Sequence, residues 1–306
     1  MTYAVETKNL TKKYKTTLAV NEASIQVPEG CCCGFLGKNG AGKTTTLKMM
    51  VGLIRPTSGS VSIMNKPQHF GGQSGAVFGY LPDVPNFYGY MTGEEFLILC
   101  AKLCDIPTAE AKSRIKSLLQ TVGLNKTRTP IAGYSRGMKQ RLGIAQAMIN
   151  NPKVIFMDEP MSALDPMGRH DVSEIIKSLK GTTVVFSTHI LTDVESVCDY
   201  ILIIEKGKVV AQDTMVNLRK RHADNTAKIR FYQEAEAKLF FDKAAGAGLK
   251  LDTTESPVEF LLTSEKVEDA SRKVMALASA DNLAIENFAA HTPSLDDIFY
   301  KEISNV

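Results

Sequence analysis

The sequence predicts an α/β fold, a parallel sheet carrying a helical subdomain, followed by a small C-terminal α+β domain. Three observations predict it. "CCCGFLG", residues 31–37, is a short apolar run bounded by glycines, as in a strand buried on both faces of a parallel sheet. It runs straight into a glycine-rich loop and the helical stretch "TTTLKMMVGL", the strand–loop–helix order of a βαβ unit. Beyond Asp213 the pattern changes to short alternating strands and helices.

The chain has 306 residues, ample for a real core, with 44% hydrophobic and 23% charged residues. Residues 219–306 hold 12 of the 36 Lys/Arg and 15 of the 33 Asp/Glu, so they carry −3 and the preceding part +6. Neither part has the dense basic stripe of a dedicated nucleic-acid binder, and no nucleic-acid partner is expected. No run approaches 18 uninterrupted apolar residues, and "MTYAVETKNLTKKYK" has no apolar signal core. A cytoplasmic protein with reduced thiols is the expectation.

The cysteines follow from the strand. Side chains alternate along it, so only Cys31 and Cys33 share a face, and no CxxC pair stands elsewhere to complete a zinc site. Cys100 and Cys104, four apart on an expected helix, are too far apart for a disulfide. The triplet packs a strand.

Residues 37–44, "GKNGAGKT", fit the phosphate-binding P-loop, G-x-x-x-x-G-K-[ST]. Gly37, Gly40 and Gly42 let the backbone curl so that the N–H groups of Lys38, Asn39, Ala41 and their neighbours to Thr45 point at phosphate oxygens. Lys43 offers charge to the β- and γ-phosphates, and Thr44 a hydroxyl to Mg²⁺. A metal-binding acid is then needed at the end of another apolar strand. "KVIFMDEP" supplies it: Asp158 for Mg²⁺, and Glu159 to take a proton from a water attacking the γ-phosphate.

"YSRGMKQRLGIAQAMINNPKVIFMDEPMSALDP", residues 134–166, resembles the stretch that identifies ATP-binding cassette (ABC) ATPases. A signature loop falls at Tyr134–Met138, and a D-loop at Ser162–Asp165. "VVFSTHILTDVESVCDYILIIEKGKVV" resembles the switch-histidine strand and the hairpin after it. The likeness runs from about Thr7 to Asp213. It implies a P-loop NTPase of ABC type, an ATP-binding domain over 1–218 with its helical subdomain at about 85–150, and an accessory domain at 219–306.

The resemblance also implies roles. Ser135 and Gly137, at a helix N-terminus, would face the γ-phosphate held by a second ATP-binding subunit in a head-to-tail dimer. His189 would bridge the γ-phosphate and the water. Asp165 would lie in the dimer interface with the nucleotide-binding set, and also reads as an N-cap before Pro166. Tyr14 matches the aromatic that stacks on adenine. The chain departs from the family pattern at Lys38, Arg136, Met138 and Met161, and most of all at Asp83, where the family has a glutamine that touches Mg²⁺ and the attacking water.

Between Pro85 and Gly133 the sequence turns helical. Thr92 with Glu95 forms a capping box, and "AEAKSRIKSLLQTVGL" has helical spacing ending at Gly123. Phe87, Tyr88 and Tyr90 precede these helices, where the family receives its membrane partner; they read either as an interface or as a local core. "NLRKRHADNTA" reads as a charged boundary. The end, "PSLDDIFYKEI", resembles the tail of ABC-2 type exporters. The resemblance thus implies the ATP-hydrolysing motor subunit of an exporter, driving a separate transmembrane permease at the inner face of the membrane. The rival is a soluble ABC ATPase acting on ribosomes or nucleic acid.

Overall fold

The computed structural model describes residues 2–70, 78–222, 226–264, 267–290 and 293–304. The chain divides into two compact units, Met1–Met215 with Lys301–Val306, and Val216–Tyr300.

The first unit begins with strands β1 (Tyr3–Tyr14), β2 (Thr17–Pro28) and β3 (Cys32–Leu36), helix α1 (Lys43–Met50), then β4 (Ser58–Ile63), β5 (Lys66–Pro67) and β6 (Phe78–Leu81). Helices α2 (Gly93–Leu103), α3 (Thr108–Thr121) and α4 (Arg136–Met148) follow. Then come β7 (Val154–Asp158), α5 (Pro166–Ser178), β8 (Thr183–Thr188), α6 (Leu191–Val197), β9 (Tyr200–Glu205) and β10 (Lys208–Thr214). One sheet has the order β10-β9-β3-β8-β7-β6, parallel except for β10 at its edge. An antiparallel sheet, β2-β1-β4-β5, stands beside it.

Burial explains this arrangement. β7 and β8 are buried at every residue, as continuous apolar runs in a central parallel sheet require. α1 packs against β2, β4 and β7, and its Leu47, Met49 and Met50 join Val20, Ile25, Phe35 and Phe156 in one core. Gly34 has no side chain because α6 lies there: a Cβ would stand 2.7 Å from Val194. The strand starts one residue later than the cysteine triplet suggests. Cys31 precedes it, its Sγ donating to the Pro28 carbonyl at 3.1 Å, while Cys33 is buried in it.

Helices α2, α3 and α4 pack on one another, and α4 also rests on β6. The capping box at α2 is formed: Glu95 N–H donates to Thr92 Oγ1, and Thr92 N–H to Glu95 Oε2 at 2.8 Å. Those bonds hold the Glu95 carboxyl below its ordinary value. α3 stops at Thr121, and Gly123 takes the left-handed turn after it (φ 67°). The three loop aromatics separate. Phe87 packs edge-on against Phe96 at 5.0 Å and is part of the local core, whereas Tyr88 and Tyr90 are exposed.

The second unit is built from β11 (Thr226–Phe231), α8 (Glu234–Ala244), β12 (Lys250–Thr253), β13 (Glu259–Thr263), α9 (Val267–Ala280) and β14 (Ile285–Ala290) once α7 (Met215–His222) is passed; α10 (Leu295–Ser304) closes the chain. Its antiparallel sheet runs β12-β13-β11-β14. Ile229, Phe231, Phe240, Phe260, Leu262 and Val274 form its core. Two expectations change. The stretch read as a charged boundary is helical through His222, and its 223–225 lie outside the described residues. "KLDT" is a strand that the sequence did not announce, because only pairing with β13 orders so polar a segment.

Candidate functional site

The parallel strands end on one side, where β3, β7 and β8 deliver their next residues together. β3 leads into the loop 37–42, and α1 starts at Lys43. Gly40 and Gly42 have left-handed φ values of 82° and 108°; at Gly42 a Cβ would also lie 2.5 Å from the Ala19 carbonyl. Only glycine fits there. β7 ends on Asp158, and β8 ends just before His189.

A cavity of about 410 Å³ opens between these ends. Asn39, Gly40, Gly42, Lys43, Thr44, Thr45, Asp83, Glu159, Ser162 and His189 line it, with Ala19. Gly37, Lys38 and Ala41 belong to the same loop but do not line the cavity; Gly37 and Ala41 are buried and Lys38 points outward. Tyr14 is exposed outside it, with Lys12 Nζ 5.0 Å from its ring centroid.

The charged groups form one network. Lys43 Nζ donates to the Gly37 carbonyl at 2.7 Å and the Lys38 carbonyl at 3.2 Å, and stands 3.5 Å from the Glu159 carboxylate. Burial lowers the Lys43 ammonium from its ordinary value, with Glu159 and Asp158 opposing the shift. His189 Nδ1 is 3.0 Å from Glu159 Oε2. A carboxylate only accepts, so the proton of this hydrogen bond sits on Nδ1. Asp158 is buried, its Oδ1 accepting from Thr44 Oγ1 at 3.0 Å and from Ser187 Oγ at 2.7 Å. Glu159 holds a left-handed φ of 48°, rare for a residue with a Cβ. On β6, Tyr80 has its hydroxyl pushed up to about 12 by burial and then by the charges of Asp158 and Asp83.

The remaining candidates sit apart from the cavity. Ser135 caps α4, its Oγ accepting the Met138 N–H at 3.2 Å, and Asp165 caps α5 by accepting the Gly168 N–H at 3.0 Å. Gly137 has room for a side chain within the chain itself, since a Cβ there would first meet Leu164 at 3.9 Å. Sequence reasoning passed over Ser187 and Ala19. Ser187 stood in "TVVFST" with Thr183 and Thr188 in the same strand, so nothing local set its hydroxyl apart.

A glycine-rich phosphate loop at the carboxyl ends of a parallel sheet, answered by an acid pair and a histidine from neighbouring strands, defines a nucleotide-hydrolysing P-loop protein. Residues 20–162 match the ABC transporter domain family. The ABC transporter ATP-binding protein YxlF of Bacillus subtilis (strain 168) is 34% identical over 97% of this chain and 98% of its own. DrrA of Streptomyces peucetius, a daunorubicin/doxorubicin resistance ATP-binding protein, is 31% identical over 97% of this chain and 92% of its own. BcrA of Enterococcus faecalis, a bacitracin transport ATP-binding protein, is 38% identical over 74% of each. Among solved structures, an ATP-binding subunit of an ABC transporter superposes with a TM-score of 0.65 at 32% identity, covering 72% of this chain and 93% of its own. The cassette MJ0796, solved as a dimer after hydrolysis with ADP and phosphate, gives 0.61 at 25% identity over 69% and 98%. The chain belongs to the ABC transporter ATP-binding proteins, and it is an ATPase.

Proposed function

We propose that this chain is the motor subunit of an exporter: it closes head-to-tail on a second ATP-binding subunit around ATP, and hydrolysis reopens the pair. The observation that carries the reading is the convergence of Lys43, Glu159 and His189 on the cavity above the phosphate loop. The full-length likeness to DrrA and the likeness to BcrA, one named for drug resistance and the other for antibiotic transport, favour export. Among the described residues no helix is long and apolar enough to cross a membrane, so the transmembrane path is assigned to a permease on whose cytoplasmic side this chain works.

The residues have distinct tasks. Backbone N–H groups of the loop take the phosphate oxygens, with the positive end of α1 behind them. Lys43 exchanges its bonds to the Gly37 and Lys38 carbonyls for the phosphates. Thr44 and Asp158 present hard oxygens side by side, a donor set that fits Mg²⁺, and they would hold it with Asp83 at the cavity wall. Mg²⁺, when bound, neutralises phosphate charge. Glu159 accepts the proton of the attacking water. His189, held beside Glu159 by the contact at Nδ1, bridges the γ-phosphate and the water. Ser135, Gly137 and Asp165 serve the opposite subunit. An anion arriving at the N-terminus of α4 explains a glycine that its own chain leaves unfilled. Tyr14 stacks on adenine.

The test is an affinity pull-down of the Glu159→Gln protein from its own cells, with ATP and in mild detergent. A polytopic membrane protein in the eluate supports the motor reading. Ribosomes or DNA without any membrane protein would sink it in favour of a soluble ABC ATPase.

A further inference from the structure

We propose that Ser187 is a positioning residue for hydrolysis: its hydroxyl ties the Asp158 side chain to the Glu159 backbone and so aims the Glu159 carboxylate into the cavity. The proposal rests on the reading of Glu159 as the base. Ser187 is fully buried on β8, in register with Asp158 on β7 and with Phe35 on β3. A hydroxyl has one proton to give and lone pairs to accept with. The proton goes to Asp158 Oδ1 at 2.7 Å, since an ionised carboxylate can only accept, and Oγ then receives the Glu159 N–H at 3.0 Å. The same Asp158 oxygen takes the Thr44 hydroxyl at 3.0 Å. One buried serine therefore couples the phosphate-loop helix, the acid assigned to the metal and the acid assigned to the water.

Glu159 needs such a restraint. Its φ of 48° is a conformation that a residue with a Cβ keeps only where its surroundings impose it. The Glu159 N–H also lies 3.2 Å from the Ser187 carbonyl, so removing the hydroxyl leaves the chain path in place and frees only the finer orientation. A serine that merely satisfied a buried carboxylate would affect stability, and nucleotide affinity through Asp158, without singling out turnover.

The experiment compares the full-length wild type with Ser187→Ala, Ser187→Thr, Glu159→Gln and the Ser187→Ala/Glu159→Gln double variant. Single-turnover ATP hydrolysis, Mg²⁺-ATP affinity and unfolding temperature are measured for each. Ser187→Ala should lower the hydrolysis rate ten- to hundredfold, with affinity within threefold and the unfolding temperature nearly unchanged. Ser187→Thr, which keeps the hydroxyl, should recover most of the rate. In the Glu159→Gln background Ser187→Ala should change nothing further, as expected of residues that act as one unit. A folded Ser187→Ala protein at wild-type rate overturns the proposal, as does an equal loss in both backgrounds or an affinity that falls with the rate. Should Ser187→Ala not fold, Ser187→Cys, similar in size and a weak hydrogen bonder, takes its place with the same thresholds. Wild-type turnover by Glu159→Gln sinks the reading of Glu159 and this proposal together. A dead Glu159→Gln beside an active Ser187→Ala sinks only the latter.

Discussion

Lys43 Nζ stands 3.5 Å from the Glu159 carboxylate while donating to the Gly37 carbonyl at 2.7 Å, so the lysine already has partners that a phosphate must displace. Both side chains are largely buried, at 6% and 13% exposure, where such a pair is screened little by solvent. Their coupling has opposite consequences for the two residues. Lys43→Ala should weaken ATP binding about 30- to 150-fold, the worth of about 2–3 kcal/mol in charge-assisted hydrogen bonds. Glu159→Gln should bind ATP as tightly as wild type or tighter, because it releases the lysine. Titration with a fluorescent ATP analogue reads both, and parallel losses would contradict this account.

Asp83 brings a carboxylate to the cavity wall where the family pattern has an amide. At about 6 Å and an effective dielectric near 20, it repels each phosphate charge by about 3 kcal/mol unless a cation intervenes. Removing Mg²⁺ with EDTA should therefore separate the variants. Asp83→Asn is expected to bind ATP at least about tenfold tighter than wild type without metal, and within about threefold of it at saturating Mg²⁺. Equal affinities under both conditions would place Asp83 away from the phosphates.

Tyr14 presents an exposed ring with Lys12 Nζ 5.0 Å from its centroid, so an arriving base takes the face that Lys12 does not cover or displaces the ammonium. Stacking of a base on an aromatic side chain is worth about 1–3 kcal/mol. Tyr14→Ala should lower ATP affinity by at least about fivefold, while Tyr14→Phe stays close to wild type. Ribose triphosphate without a base provides the control, because its binding should not depend on the ring.

Burial, with Asp199 and Cys32 nearby, pushes the Cys31 thiol from 9.0 up to about 12. The thiolate is the reactive form, so its scarcity falls by about a factor of ten for each pH unit. At pH 8 alkylation of Cys31 by iodoacetamide should be slower in the folded protein than in urea by about 50-fold, after allowing for the greater nucleophilicity of a more basic thiolate. The rate should keep rising through pH 10, where an ordinary thiol has levelled off. Mass spectrometry of the labelled peptide follows it, and a plateau near pH 9 would show that the thiol is not held in its protonated form.

Much of the site was legible from short runs of residues. "GKNGAGKT" sits within a strand–loop unit whose spacing names Lys43 and Thr44, and that loop in the same chain is what singles out Asp158 and Glu159 at the end of "KVIFMDEP". Alternation and apolar runs likewise announced the buried strands, and Thr92 with Glu95 announced the start of α2. "KLDT" and the helix through His222 were not legible, because a polar segment takes its form from what pairs or packs with it. The aromatic loop needed the fold as well: nothing local distinguishes Phe87, turned onto Phe96, from Tyr88 and Tyr90 in solvent.

The amino-acid sequence by itself determined the phosphate loop, the acid pair that follows a buried strand, and the class of chemistry these imply. Each depends on neighbours in the chain and on period, which a linear text preserves. Tertiary structure alone decided that Ser187, 28 residues beyond Glu159, would share its hydroxyl with both acids, and that Lys43 would reach Glu159 across the cavity. Parallel strands place distant residues in register, and the order β3-β8-β7 brings these groups together.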